Sequence, residues 1–284
     1  MGPGGEFDLI RRLLGPDSGL PPGVLLGPGD DCVVLEDGWV VSTDLALEGV
    51  HFKRDWINLE EAGFRATAAA ISDLAAVAAQ PIGVLLSLAL DPATFAADGV
   101  LLQRGASEAC EQADARVLGG DLSRSPGPTL VNVVALGRTR SPASRSGTEV
   151  GDELWVTGWL GGSAGAISCW NRGVAPPDSL RGCFSRPQPR VREALWLADR
   201  VELHGLIDLS DGLAGDAGHL AAASGLALVL DSPVIPVHPS LAEAVGSPET
   251  ALILALKGGE DFELAFTVAP GTLDQCADSF KDTF

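Results

Sequence analysis

The 284-residue chain contains no tyrosine, one methionine and only three lysines, Lys53, Lys257 and Lys281. Aromatic residues make up 5% of it. Each scarcity excludes something. With 19 basic against 38 acidic residues and a net charge of -19, the chain lacks the cationic footprint that duplex binding requires, so nucleic acid is not expected as a partner. No GxxxxGK[ST] stretch occurs, which removes the lysine-bearing phosphate loop. HExxH, GxSxG and the EF-hand pattern are absent too. The five cysteines, Cys32, Cys110, Cys169, Cys183 and Cys276, are scattered and form no CxxC. A disulfide framework and a zinc site are therefore not expected, and a reducing cytoplasm is the simplest location. No basic n-region leads into an apolar segment at the N-terminus. The longest apolar runs, such as 84–90, are too short to span a bilayer.

What the chain does have is glycine, 35 residues of it, and a 46% hydrophobic content that permits a sizeable core. An amphipathic helix is expected over residues 4–14. Strands are expected at 32–35 and 39–42 (a hairpin closed by Glu36-Asp37-Gly38), and at 82–90 and 129–137, while 24–26 leads into the turn at 27–31. Helices are expected at 59–79 and 92–113. The polar stretch 138–151 marks a domain boundary, giving domains 1–140 and 141–284. In the second domain strands are expected at 153–157, 206–209, 226–230, 251–256 and 263–268. Helices are expected from 158–165 on to 170, at 191–198, from 212 to 223 and from 271, with a loop over 171–190. The irregular alternation favours α+β layers over a doubly wound parallel sheet.

Acids recur at turns and strand ends: Asp30 and Asp31 after Gly27-Pro28-Gly29, Asp44 after Ser42-Thr43, Asp121 after two glycines, Asp208 and Asp211 around Leu209-Ser210, and Glu260-Asp261 after two more glycines. Hard cations take oxygen ligands, and cations bridging phosphate oxygens would let so acidic a protein hold an anion. Each acid also admits a purely structural reading. Asp30, Asp31 and Asp121 suit Asx-turns, Asp44 a strand-end cap, Asp211 a helix N-cap, and Glu260 a solvated turn. Asp73 is different, because an acid inside an apolar, alanine-rich helix is costly unless paired or metal-bound. The run GWLGGSAG at 158–165 opens a helix, and its glycines suit either phosphate approach or close packing. His51 and Arg145 taken singly are a surface histidine and a linker charge.

Nine stretches in order carry a family resemblance: GEF at 5–7, GPGDDC at 27–32, STDLALEGVHF at 42–52, SDLAAVAAQP at 72–81, GGD at 119–121, SRSG at 144–147, VTGWLGGSAG at 156–165, IDLSDGLAGDAGHL at 207–220 and KGGEDFEL at 257–264. Together they resemble thiamine-monophosphate kinases, of the superfamily that includes aminoimidazole ribonucleotide synthetase and selenophosphate synthetase. The resemblance implies a two-domain α/β fold with mixed, largely antiparallel sheets, a homodimer formed through the N-terminal domains, and a site in the cleft between domains. It implies ATP-dependent phosphorylation of thiamine monophosphate to thiamine diphosphate with several Mg2+ ions. By position it implies that Asp31, Ser42, Thr43, Asp44, Asp73, Asp121, Asp208 and Asp211 are metal ligands. Gly120, Asp121, Arg145 and Ser210 would contact ATP, and His51 and Glu260 the thiamine substrate. No general base is expected. Val77-Ala78-Ala79 stands where the family usually has Met-Gly-Ala, and Leu122 where threonine is common. The family also continues past the GGEDFEL strand and supplies a substrate-stacking aromatic, so a shortened C-terminal domain is expected here. The alternatives are another ATP-using enzyme of the superfamily, or a truncated nucleotide-binding relative without activity.

Overall fold

The computed structural model describes residues 19–284 together with Leu9 and Leu13; apart from those two leucines, the helix expected over 4–14 lies outside the described residues. A six-stranded sheet is built from β1 (Val24–Leu26), β2 (Val33–Leu35), β3 (Trp39–Leu47), β4 (Gln80–Leu90), β5 (Arg116–Arg124) and β6 (Leu130–Arg138), in the order β1-β2-β3-β6-β4-β5. All neighbours are antiparallel except β4 and β5. Parallel neighbours need a crossover, and α2 (Phe95–Gln112) supplies it. The second sheet is antiparallel, β7-β9-β8, from β7 (Glu153–Val156), β8 (Gly205–Asp208) and β9 (Leu264–Val268). The expected α+β layering with largely antiparallel sheets is what forms.

Between the sheets lies α1 (Leu59–Ala76). Asn58 caps it, accepting from the Glu61 backbone N–H while the Glu61 carboxylate accepts from the Asn58 backbone N–H. This capping box satisfies two otherwise orphaned donors. Nearly every side chain of α1 is buried, polar ones included, because one side lies on the first sheet and the other meets α4 (Asp178–Ser185), α5 (Val191–Arg200) and β8. Its alanine content follows from this two-sided burial. Where α1 crosses α2 the backbones touch: a Cβ on Gly63 would fall 2.1 Å from the Leu102 carbonyl oxygen, and one on Gly105 would fall 1.8 Å from that of Glu60.

The second half continues with α3 (Gly162–Asn171), α6 (Leu213–Ser224), α7 (Leu241–Val245), α8 (Pro248–Lys257) and α9 (Ala277–Thr283). Four expectations need correction. Residues 171–190 contain α4 rather than only loop. Residues 226–230 form no strand: no neighbour pairs with them, and Val229 is 91% exposed. The apolar run 251–256 lies within α8, which starts on a Ser247 N-cap with Pro248 in its first turn and buries Ala251 and Ala255 at i, i+4 spacing. A short apolar run fits helix and strand alike, and the start signal decided between them. Finally, β3 runs further than expected and 116–124 form a strand, β5, that was not expected, so Asp44 and Asp121 lie within strands rather than beyond them. Among the described residues no helix is long and apolar enough to cross a membrane.

Candidate active site

The turn after β1 folds onto the segment linking the two sheets. Asp30 shapes it: one carboxylate oxygen accepts from the Asp31 backbone N–H at 3.0 Å and the other from the Arg145 backbone N–H at 3.2 Å. Asp31 instead takes the Arg145 guanidinium in a fork, Nε to Oδ2 at 3.1 Å and Nη2 to Oδ1 at 2.5 Å. Paired planar groups of this kind are strong and directional.

Asp31, Asp73 and Asp208 converge, each with a carboxylate oxygen within 4.8 Å of the others. They arrive from a turn, from α1 and from the end of β8. Two hydroxyls orient them: Ser42 Oγ donates to Asp73 Oδ2, and Ser72 Oγ donates to Asp208 Oδ2 at 2.7 Å. Burial pushes the Asp73 carboxyl well above the usual range. The Ser42 hydrogen bond opposes this, while the charges of Asp31 and Asp44 add to it. Asp208 is pushed the same way by burial, then by Asp73 and Asp31. Three carboxylates so close and so buried are unfavourable in their ionised form without a cation. The surrounding donors are hard oxygens with no imidazole among the three, which suits magnesium.

A second group faces the same region. Asp44, on the helix side of β3, has its carboxyl raised by burial, against the Leu45 backbone hydrogen bond and the charges of His51 and Arg65. His51 accepts the Leu47 backbone N–H on Nδ1 at 3.1 Å. Glu260 is ion-paired to Arg65. The loops bearing Ser210 and Glu260 are zipped together, Glu260 N–H to the Ser210 carbonyl at 2.8 Å and Phe262 N–H to that of Leu209 at 2.9 Å. A Cβ on Gly259 would lie 2.2 Å from the Ser210 carbonyl oxygen, which explains a glycine there. Ser210, Asp211 and Glu260 border a cavity of about 690 Å³ that also receives Arg172 and Lys257. Asp211 additionally groups with Asp216 and His219 within 4.8 Å. Asp216, its Oδ2 accepting from the Asp211 backbone N–H at 3.1 Å, has its carboxyl pushed up to about 7, chiefly by burial.

Thr43, Gly120 and Asp121 do not join these clusters within one chain. Asp44 registers with Val133, Leu86 and Gly120, a line whose side chains face the helices. Asp121 registers with Ser87, Asn132 and Leu45, the opposite and exposed face that Thr43 shares. Three strand spacings separate β5 from β3, about 14 Å. Gly120 has a packing reason of its own, since a Cβ there would fall 1.8 Å from the Leu86 carbonyl oxygen.

The glycine run at 158–165 resolves in favour of packing. The anion at the start of α3 belongs to the protein: the Asp261 carboxylate accepts from Gly161 N–H at 2.7 Å and from the Gly162 and Ser163 amides. Burial pushes this carboxyl up to about 7, with the amides opposing. A helix N-terminus already holding a carboxylate is not a free phosphate site. Sequence reasoning passed over Arg65, Ser72 and Asp216. The clue for Arg65 was the one that exposed Asp73, a charged residue in an alanine-rich apolar helix. Ser72 and Asp216 carried none.

Residues 29–139 match the family model described as AIR synthase related protein, N-terminal domain. The chain is 36% identical over 279 residues to the thiamine-monophosphate kinase of Rhodopirellula baltica, an alignment spanning 93% of this chain and 82% of that protein. It is 34% identical over 276 residues to that of Escherichia coli K12, with the same coverage. Among solved structures, AaThiL complexed with AMPPCP and TMP superposes with a TM-score of 0.83 at 29% identity, covering 94% of this chain and 86% of that one. Hydrogenase maturation protein HypE, at 17% identity and a TM-score of 0.70 over 95% and 80% of the two chains, shares the fold.

Proposed function

The chain belongs to the thiamine-monophosphate kinase family, and from that premise we propose that it transfers the γ-phosphoryl group of ATP to thiamine monophosphate, giving thiamine diphosphate and ADP. The observation that carries this reading is the meeting of Asp31, Asp73 and Asp208 from three separate segments beside Arg145. An oxygen of the thiamine phosphate attacks the γ-phosphorus in line. The bond to the β,γ-bridging oxygen breaks, and ADP leaves with its electron pair. The attacking oxygen is already largely ionised near neutral pH, the second pKa of a phosphate ester being about 6, so no general base is needed. The work left for the protein is positioning and charge neutralisation.

Asp31, Ser42, Thr43, Asp44, Asp73, Asp121, Asp208 and Asp211 would hold magnesium, which when bound neutralises phosphate oxygens and carboxylates together. Arg145, fixed by its fork on Asp31, and Ser210 orient the nucleotide. His51 and Glu260 contact the thiamine moiety. Gly120 and Asp121 serve the nucleotide from the other subunit of a homodimer. Support for this comes from the exposed face of the first sheet, where Leu45, Leu85 and Asp121 lie together. Packing two such faces would bring Asp121 of one subunit toward Thr43 of its partner.

Coupled measurement of ADP release tests the activity. Release that depends on both magnesium and thiamine monophosphate is expected. Release that ignores the thiamine ester overturns the assignment. Subunit exchange tests the shared site: Asp44→Asn and Asp121→Asn, each inactive alone, should regain about a quarter of normal activity when co-assembled in equal amounts, because one site of each mixed dimer is intact. No recovery would place Asp121 outside its partner's site.

A further inference from the structure

Arg65 sits midway along α1, 5% exposed, and both of its terminal nitrogens are engaged. Nη1 donates to the Phe184 carbonyl oxygen at 2.7 Å, at the end of α4. Nη2 is ion-paired to Glu260 Oε2. The guanidinium carbon lies 3.9 Å from the centre of the Phe184 ring and 5.8 Å from that of Phe262. Three separately folded segments therefore set its position: the central helix, α4 and the 258–262 loop.

The residue it holds is unusual. Glu260 has φ +68° and Phe262 φ +52°, both left-handed positions that non-glycine residues seldom occupy. The backbone is secured by the hydrogen bonds to Leu209 and Ser210 described above. Nothing on the backbone orients the Glu260 side chain, which has three free torsions and is 28% exposed at the cavity. Arg65 takes one carboxylate oxygen, Oε2, and leaves Oε1 open. A glutamate left free would lose rotamer entropy at the moment of binding, and one fixed beforehand does not.

We propose that Arg65 is a positioning residue for the substrate: it holds Glu260 so that Oε1 faces the cationic, nitrogen-rich thiamine moiety. The inference rests on Glu260 being a substrate contact, as read above. Arg65 does not itself bind phosphate, because it is buried and both of its terminal nitrogens are engaged.

A double-mutant cycle on the full chain tests this, with steady-state kinetics in both substrates and thermal midpoints for all variants. Arg65→Met should raise KM for thiamine monophosphate about tenfold and KM for ATP less than about twofold. In the Glu260→Gln background the same substitution should add less than about twofold, because the group it positions is already gone. Arg65→Lys keeps the charge but not the two-edged fork, and its KM should fall between wild type and Arg65→Met. It carries the cycle if the methionine variant does not fold. Equal losses in both backgrounds would make Arg65 a packing residue and overturn the proposal. If Glu260→Gln leaves KM for thiamine monophosphate unchanged, the reading of Glu260 fails first and the proposal falls with it. That result is distinct from additivity between two substitutions that are each damaging.

Discussion

Asp73→Asn is expected to lower kcat by about 10³-fold or more, about 4 kcal/mol of transition-state stabilisation, while thermal stability in the absence of divalent cations stays level or rises. The two halves of this expectation have one cause. Asp73 is a buried carboxylate within 4.8 Å of two others, and burial and their charges both disfavour its ionised form. An amide of the same shape removes that repulsion. Its carbonyl oxygen still accepts from Ser42 Oγ, and the neighbouring carboxylates of Asp31 and Asp208 are acceptors for the N–H groups it introduces. What the amide cannot do is supply a full negative charge to a cation. Turnover near wild type at saturating magnesium would remove Asp73 from the ligand set. A clear fall in the midpoint would show that the charge is structurally compensated by something other than a metal.

Magnesium should raise the thermal midpoint by about 5 °C or more at pH 8 when it is present at about a hundred times its dissociation constant, and by clearly less at pH 5. The carboxyls of Asp216 and Asp261 are pushed up to about 7 from an ordinary value of 3.8, in both cases chiefly by burial, and Asp73 and Asp208 are raised in the same direction. Between 3.8 and 7 the folded protein retains a proton that the unfolded chain has released. Stability from these groups is therefore complete below about 4 and is lost as the pH rises through about 7. His204, raised by its hydrogen bond to Asp152, acts in the same sense over a higher range; His219 and His238, lowered by burial, act in the opposite one. The carboxylates lowered by arginine partners, such as Glu61 and Asp98, lose their contribution only at pH values below this window. Without metal the midpoint should accordingly fall from pH 5 to pH 8, and magnesium should restore the share that belongs to Asp73, Asp208 and Asp216 by taking the place of their protons, whereas Asp261, held by the α3 amides, lies outside that share. A magnesium effect of equal size at both pH values would separate the cation from these acids.

The site was partly legible because its residues break local rules. An aspartate in an alanine-rich helix and paired acids after a Gly-Pro-Gly turn stand out without any structure. Asp208 and Asp211 looked like turn acids, and only the fold separates them, one into the buried carboxylate triad and the other to the cavity edge. The glycine run at 158–165 left two readings open, phosphate approach and close packing, and the fold decided for packing. It has the composition of a phosphate cradle, but the anion at its helix start is Asp261, about a hundred residues away in sequence. Likewise 251–256 has strand-like composition, and the serine-proline start of α8 made it helix.

The opening turn at Gly27–Asp31 shows where sequence ends and tertiary structure begins. The sequence by itself determined the residue inventory, with many carboxylates, few lysines and no lysine-bearing phosphate loop, and its nine ordered stretches carried the resemblance to a kinase family. Local rules also placed a helix over 59–79, where α1 forms. Tertiary structure decided which acids share a site, because burial between two sheets is a property of the packing of α1 and not of any stretch of sequence. It also decided that Asp121 and Thr43 face away from the buried triad. The strand period of two fixes each side chain to a face only once the register is set, and that register is made by hydrogen bonds between strands far apart in the chain.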